Sequence, residues 1–167
     1  MTWCLVGSEM CIRDRLDPGH FLSFGFGSGL SPFAPGTLGT ILAIPIALFM
    51  NQTSLGYRIT LLSFLIVLGI YLCGRSASLF KDHDHSSIVF DEIVGMLVPL
   101  LFIPFTARNV LFCFCLFRFF DIFKPWPISF FDRSFRGGFG IMIDDLIAGL
   151  FTLLVFFFCT RWLDVLA

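Results

Sequence analysis

The sequence predicts an all-α chain: a small polytopic membrane helix bundle of about four or five apolar segments, with polar loops converging on the cytoplasmic face. Three observations carry this expectation. The 167 residues are 57% hydrophobic and only 14% charged, against about 45–50% and about 25% in soluble domains. The 24 phenylalanines exceed what one small core can hide from water, so apolar surface must face another solvent. Apolar stretches recur along the chain between short polar breaks. A net charge of -1 excludes the basic footprint of a nucleic-acid binder, and so apolar a chain is not disordered.

The elements follow in order. Met1 to Arg15 has no apolar run long enough for a signal peptide, and CLVGSEMCIRDR resembles a translated sequencing-adaptor artefact. Residues 1–15 are therefore read as a non-native leader and 16–167 as one membrane-embedded domain. Gly25 to Gly39 is a glycine-rich loop without the spacing of a P-loop or a dinucleotide fold. The backbone N–H groups around Gly27, Ser28, Gly36 and Thr37, with a helix expected to open at Thr37, can nonetheless cradle a phosphate.

Apolar stretches then run over Leu38–Met50, Ile59–Cys73, Ile93–Phe105, Asn109–Phe120 and Leu146–Trp162. A full crossing needs about 20 residues. The last stretch meets the lower limit of about 17 residues, the second does so with Leu55 to Arg58 as an interfacial cap, and the first does so if the Pro35-Gly36-Thr37 turn lies within the headgroup layer. The third and fourth, broken by Pro104 and Thr106 to Arg108, are either a hairpin of short crossings or a re-entrant pair. Cys73, Cys113, Cys115 and Cys159 lie in Phe- and Leu-rich runs and are read as buried thiols.

Charge gives the expected orientation. With the stretches before Leu38, between Gly74 and Glu92, and between Arg118 and Asp145 on one side, that face holds eight Lys and Arg, or six without Arg13 and Arg15 of the leader, against three (Arg58, Arg108, Arg161) on the other. The positive-inside rule makes the richer face cytoplasmic. Eight of the twelve acids fall in two windows of that same face, Asp82–Glu92 and Asp121–Asp145. Carboxylates so crowded repel unless cations neutralise them, and carboxylate and water ligands suit Mg2+ or Mn2+.

Each window has its own logic. Asp91 and Glu92 stand where a helix enters the apolar Ile93-Val94-Gly95-Met96, a placement that favours acids and leaves them free to ligate metal. Gly95, one turn on, makes room for a neighbouring helix or a ligand. His83 and His85 read as a solvated loop or as groups behind the metal ligands in preference to a His-x-His zinc site, since no Cys or third His is nearby to complete a zinc set. Arg118 and Asp121 share a helix face at i and i+3, with Lys124 three further on, before Pro125 and Pro127 stop the helix. Trp126 fits an interfacial anchor. The adjacent Asp144 and Asp145 diverge by about 100° on a helix, so one can face a metal while the other holds a water or a basic residue.

GFGSGLSPFAPGTLG, HDHSSIVFDEIVGM, FRFFDIFKPWPISFFDR and GGFGIMIDDLIAG together resemble, in order and spacing, the four blocks of the phosphatidylglycerophosphatase A family of bacteria. The resemblance spans Phe24 to Gly149; Thr40 stands where a Ser is expected after Gly39. It implies a Mg2+-dependent phosphatase of the inner membrane that converts phosphatidylglycerophosphate to phosphatidylglycerol. By motif position, Asp84, Asp91, Glu92, Asp121, Asp144 and Asp145 become the candidate metal ligands, and Arg118, Lys124 and Arg133 the candidate phosphate ligands. The expected chemistry is Mg2+-assisted, in-line attack of water on phosphorus. Asp91, Glu92, Asp121, Asp144, Asp145, His83 and His85 are the candidate catalytic groups. A covalent aspartyl-phosphate is disfavoured because no βαβ pattern surrounds Asp82-His83-Asp84. The rival class is a small membrane transporter or channel with an acidic cation site, which would place its ionisable groups near mid-span. The expected partners are the lipid substrate and membrane lipids, with no nucleic acid.

Overall fold

The computed structural model describes residues 34–79, 89–126, 128–130, 135 and 137–166. They form five helices, α1 (Pro35–Met50), α2 (Leu55–Leu79), α3 (Phe90–Leu100), α4 (Ala107–Phe123) and α5 (Gly137–Leu166), besides a single helical turn at 128–130. No strand occurs among the described residues, as expected of an all-α chain. The leader 1–15 lies outside them.

Local chemistry sets the helix ends. α1 opens at Pro35, two residues ahead of the expected Thr37, because proline's fixed φ suits the first helical position and its missing N–H would be unpaired there anyway. The α4 start is capped by Thr106, whose side chain accepts a hydrogen bond from the Asn109 N–H at 3.3 Å. That helix stops at Lys124, which takes a left-handed conformation (φ 40°) directly before Pro125.

The short α3 is the centre of the molecule. All of its residues but Glu92 are buried, and it touches the other four helices. At 11 residues it is about 16 Å long, half the thickness of a hydrocarbon core of about 30 Å. The run expected over Ile93–Phe105 is thus a buried half-length helix, turned back through Leu101–Thr106 into α4. Among the described residues two helices, over Leu55–Arg75 and Gly137–Arg161, are long and apolar enough to cross a membrane, fewer than the four or five expected; α1 is apolar but shorter. Their outward faces expose Phe64, Val67 and Tyr71 on α2 and Leu154, Phe157 and Phe158 on α5, the reverse of a water-facing surface.

Successive helices alternate in direction, so the first turns of α1, α3 and α5 meet the last turns of α2 and α4 at one end. The α3–α5 crossing is close. A β-carbon at Gly95 would come within 2.7 Å of the Asp145 backbone oxygen, and one at Gly149 would run into the Gly95 carbonyl. Gly95 therefore serves a neighbouring helix, one of its two expected uses. Cys73 and Cys113 are buried as expected, whereas Cys115 is exposed on the outer face of α4.

Candidate functional site

The end where these helix termini gather holds five carboxylates from three helices. Asp91 and Glu92 occupy the first turn of α3, at the positive pole of its dipole. Asp91 is buried, and its Oδ1 accepts the Glu92 N–H at 3.0 Å. Burial, together with the negative charges of Glu92 and Asp144, pushes its carboxyl well above the usual carboxylate range. Burial pushes Glu92 up to about 7, against the downward pull of the Arg118 guanidinium.

The last turns of α4 supply the cations. The Arg118 Nη1 lies 3.3 Å from Glu92 Oε1 and donates to Asp121 Oδ2 at 2.5 Å, realising the i, i+3 pairing expected from the sequence and tying α4 to α3. Six residues on, Lys124 donates from Nζ to Asp144 Oδ2 at 2.7 Å. A lysine in the left-handed region is strained by about 1–2 kcal/mol, and the bridge to α5 helps to hold it.

On α5 the neighbouring acids diverge as their spacing predicts. Asp144 faces Lys124, while Asp145 is 3% exposed, with its own backbone carbonyl against Gly95. Among the described residues no Lys or Arg pairs with Asp91 or Asp145. The cluster therefore has an outer tier bridged by cations and an inner tier without them.

α1 closes the fourth side. A β-carbon at Gly36 would overlap the Glu92 carboxylate, and one at Gly39 would lie 3.0 Å from the Val89 side chain. Gly36 thus makes room for Glu92, and the Thr37 N–H donates to the Ala34 carbonyl at 3.0 Å. Sequence reasoning missed two contributors here, Gly39 and the fully buried Thr40, whose Oγ1 donates to the Gly36 carbonyl at 2.8 Å. The i, i+3 glycine pair at the start of an apolar helix was the available signal for the first.

In this cluster Glu92 Oε2 and Arg118 Nε are buried without a hydrogen-bond partner among the described residues, an arrangement rare in native interiors. Among the described residues no three His, Cys, Asp or Glu side chains stand together as a ready metal cage. Of the residues singled out in the sequence, Asp91, Glu92, Asp121, Asp144, Asp145, Arg118, Lys124, Gly36 and Thr37 all lie at this end. Gly27, Ser28, His83, Asp84, His85 and Arg133 lie outside the described residues.

The chain's relatives can be set beside this geometry. Residues 21–160 match the family model described as phosphatidylglycerophosphatase A. The chain is 44% identical over 143 residues to phosphatidylglycerophosphatase A of Escherichia coli strain K12, covering 85% of this chain and 83% of that one. It is 42% identical over 151 residues to the protein of the same name from Haemophilus influenzae strain Rd, covering 89% and 92%. A Bacteroides thetaiotaomicron protein, named provisionally a phosphatidylinositol-3-phosphatase, is 41% identical over 139 residues, covering 78% and 86%. No solved structure matches the chain.

Proposed function

Because the chain belongs to the phosphatidylglycerophosphatase A family, we propose that it hydrolyses the terminal phosphomonoester of phosphatidylglycerophosphate, releasing phosphatidylglycerol and phosphate. The observation that carries this reading is the gathering of Asp91, Glu92, Asp121, Asp144 and Asp145 at one end of an otherwise apolar bundle, with Arg118 and Lys124 among them. We place the protein in the bacterial inner membrane as a multi-pass bundle with this end at the cytoplasmic face. The excess of Lys and Arg on the loops of that end supports the orientation. A headgroup phosphate lies at the depth of the helix ends, so the acids reach it without entering hydrocarbon.

Mg2+ fits this donor set. Every candidate ligand is a hard carboxylate oxygen, and Glu92 Oε2 is buried with no hydrogen-bond partner. Mg2+ is usually held by one or two carboxylates plus substrate phosphate and water, so a preformed cage is not required. One or two of Asp91, Glu92, Asp121, Asp144 and Asp145 would hold it, with Asp84 a further candidate by motif position. Bound there, it supplies Lewis-acid charge at the phosphomonoester oxygens.

The chain's own groups account for the remaining roles. The Lys124 ammonium offsets negative charge on the phosphate as the ester bond breaks. Water attacks phosphorus in line, giving its proton to a carboxylate, and the alkoxide of the leaving lipid takes up a proton. His83 and His85, and any acid of the cluster not engaged by the cation, can act in either transfer.

The test is phosphate release from phosphatidylglycerophosphate by purified protein, with Mg2+ and with EDTA, and with phosphatidic acid and phosphatidylinositol 3-phosphate as competitors. Mg2+-dependent release that favours phosphatidylglycerophosphate is expected. The absence of any Mg2+-dependent release would overturn the activity, and preference for the inositol lipid would overturn the substrate.

A further inference from the structure

We propose that Arg118 is a positioning residue, a clamp that fixes Glu92 of α3 and Asp121 of α4 relative to each other, rather than a ligand of the substrate phosphate. The inference rests on the phosphatase reading above and changes the part this side chain plays in it.

The geometry favours carboxylates over phosphate as the partners of Arg118. Arginine recognises phosphate through its planar fork, two parallel N–H groups turned to an open approach. Here Nη1 is already engaged by two carboxylates on two helices, at 3.3 Å and 2.5 Å. The Nε edge is sealed from solvent and has no partner. The Arg118 side chain is 17% exposed, against 29% for Lys124. Arg118 also precedes Lys124 by six residues, about 9 Å deeper along the helix. A phosphate arriving from the headgroup layer meets Lys124 first.

Removal of the clamp would act on the acids. Glu92 and Asp121 would lose the positive charge between them and move apart. Glu92 lies against α1, its carboxylate filling the volume that a side chain at Gly36 would take. Metal affinity therefore depends on Arg118 even though its own nitrogens are not donors to a cation. Outer partners that orient metal ligands typically change affinity by about 10–100-fold when removed.

The experiment compares wild type with Arg118→Lys and Arg118→Gln in two assays. The first is Mn2+ binding to the purified protein without lipid, followed by electron paramagnetic resonance. The second measures KM for phosphatidylglycerophosphate and inhibition by inorganic phosphate, both at saturating Mg2+. A clamp predicts Mn2+ affinity about tenfold or more weaker in both variants, because glutamine lacks the charge and lysine, which keeps it, ends one bond short of the place where Nη1 meets both carboxylates. It predicts that KM and phosphate inhibition stay within about twofold of wild type. Phosphate inhibition and KM about tenfold worse in Arg118→Gln, with Mn2+ binding unchanged, would make Arg118 a phosphate ligand and overturn the proposal. If Arg118→Gln fails to fold, Arg118→Lys decides the question by the same two readouts. Wild type that binds Mn2+ but leaves the lipid intact overturns the substrate assignment alone. Wild type that binds no Mn2+ overturns the clamp together with the metal assignment.

Discussion

Each end of the bundle is organised around an arginine, and the two ends use it in opposite ways. Away from the acids, Arg58 donates to the backbone carbonyls of Asn51, Thr53 and Leu101, stapling the α1–α2 turn to the end of α3. Those acceptors are neutral, each is content with one donor, and the arrangement closes on itself. At the other end Arg118 lies between charged acceptors, and bridging cations serve only the outer acids. Among the described residues that end is left with more carboxylates than cations and with buried polar atoms that have no hydrogen-bond partner. A staple stabilises; an end left electrostatically open is where a cation and a phosphate ester can bind.

The sharpest way to break this comparison is to neutralise the acids. Asp91→Asn and Asp144→Asn are expected to lower phosphate release by at least about 100-fold, the scale of a lost catalytic group. The fold should survive, because removing a charge from a crowded cluster relieves repulsion. A colorimetric phosphate assay together with a thermal melt reads both effects. A transport protein would instead have no phosphate release to lose.

Glycines at the acidic end sharpen the contrast further. In Gly36→Ala the new methyl meets the end of a flexible side chain, Glu92, whereas in Gly95→Ala it meets the backbone of Asp145. The first substitution is expected to displace Glu92, lowering activity about tenfold and weakening Mg2+ affinity, a ligand-orientation effect, with little change in melting temperature. The second must push helices apart and should cost about 1–3 kcal/mol of stability. Equal effects of both on melting would show that Gly36 serves packing rather than the carboxylate.

What the sequence made legible, and what it hid, follows the same division. The gathering of distant acids at one end was readable, because alternating apolar runs fix which loops share an end and the Arg118–Asp121 spacing fixes a helix face. The divergence of Asp144 from Asp145 was readable for the same reason, a helix period of 3.6. The central place of α3 was not. Its apolar stretch looked like the others, and only three-dimensional enclosure distinguishes a helix buried on every side from one facing lipid. Arg58 was read merely as a charge on the far face, because its partners are backbone carbonyls, which leave no trace in residue identity. Gly36 was read as an opening for phosphate, since local sequence cannot say which side chain from elsewhere will fill a glycine's space.

Arg58 gives the next prediction. Arg58→Ala leaves three partly buried carbonyls short of a donor, at about 1–3 kcal/mol in total after allowance for access to water. That corresponds to a melting temperature lower by roughly 3–10 °C. The kcat of the folded protein and its Mg2+ requirement should equal those of wild type, because the substitution lies a bundle length from the acids. A change in Mg2+ requirement would mean that the two ends are coupled through α3.

The smallest expected effect is a pH dependence confined to the acidic end. Glu92 gives up its proton near pH 4.5 when unfolded and near 7 when folded, so the folded state binds the proton more tightly. The resulting stabilisation is complete below about 4.5 and is lost as the pH rises through about 7. Metal-free protein should therefore melt a few degrees lower at pH 8 than at pH 5, and Mg2+ should restore more of that loss at pH 8, where no proton competes for the carboxylate. Glu92→Gln, which carries no titrating proton, should reduce the slope and leave what Asp91 contributes, whereas Arg58→Ala should leave the slope untouched. A slope unchanged in Glu92→Gln would assign the titration to another acid of the cluster, with Asp91 the next to test.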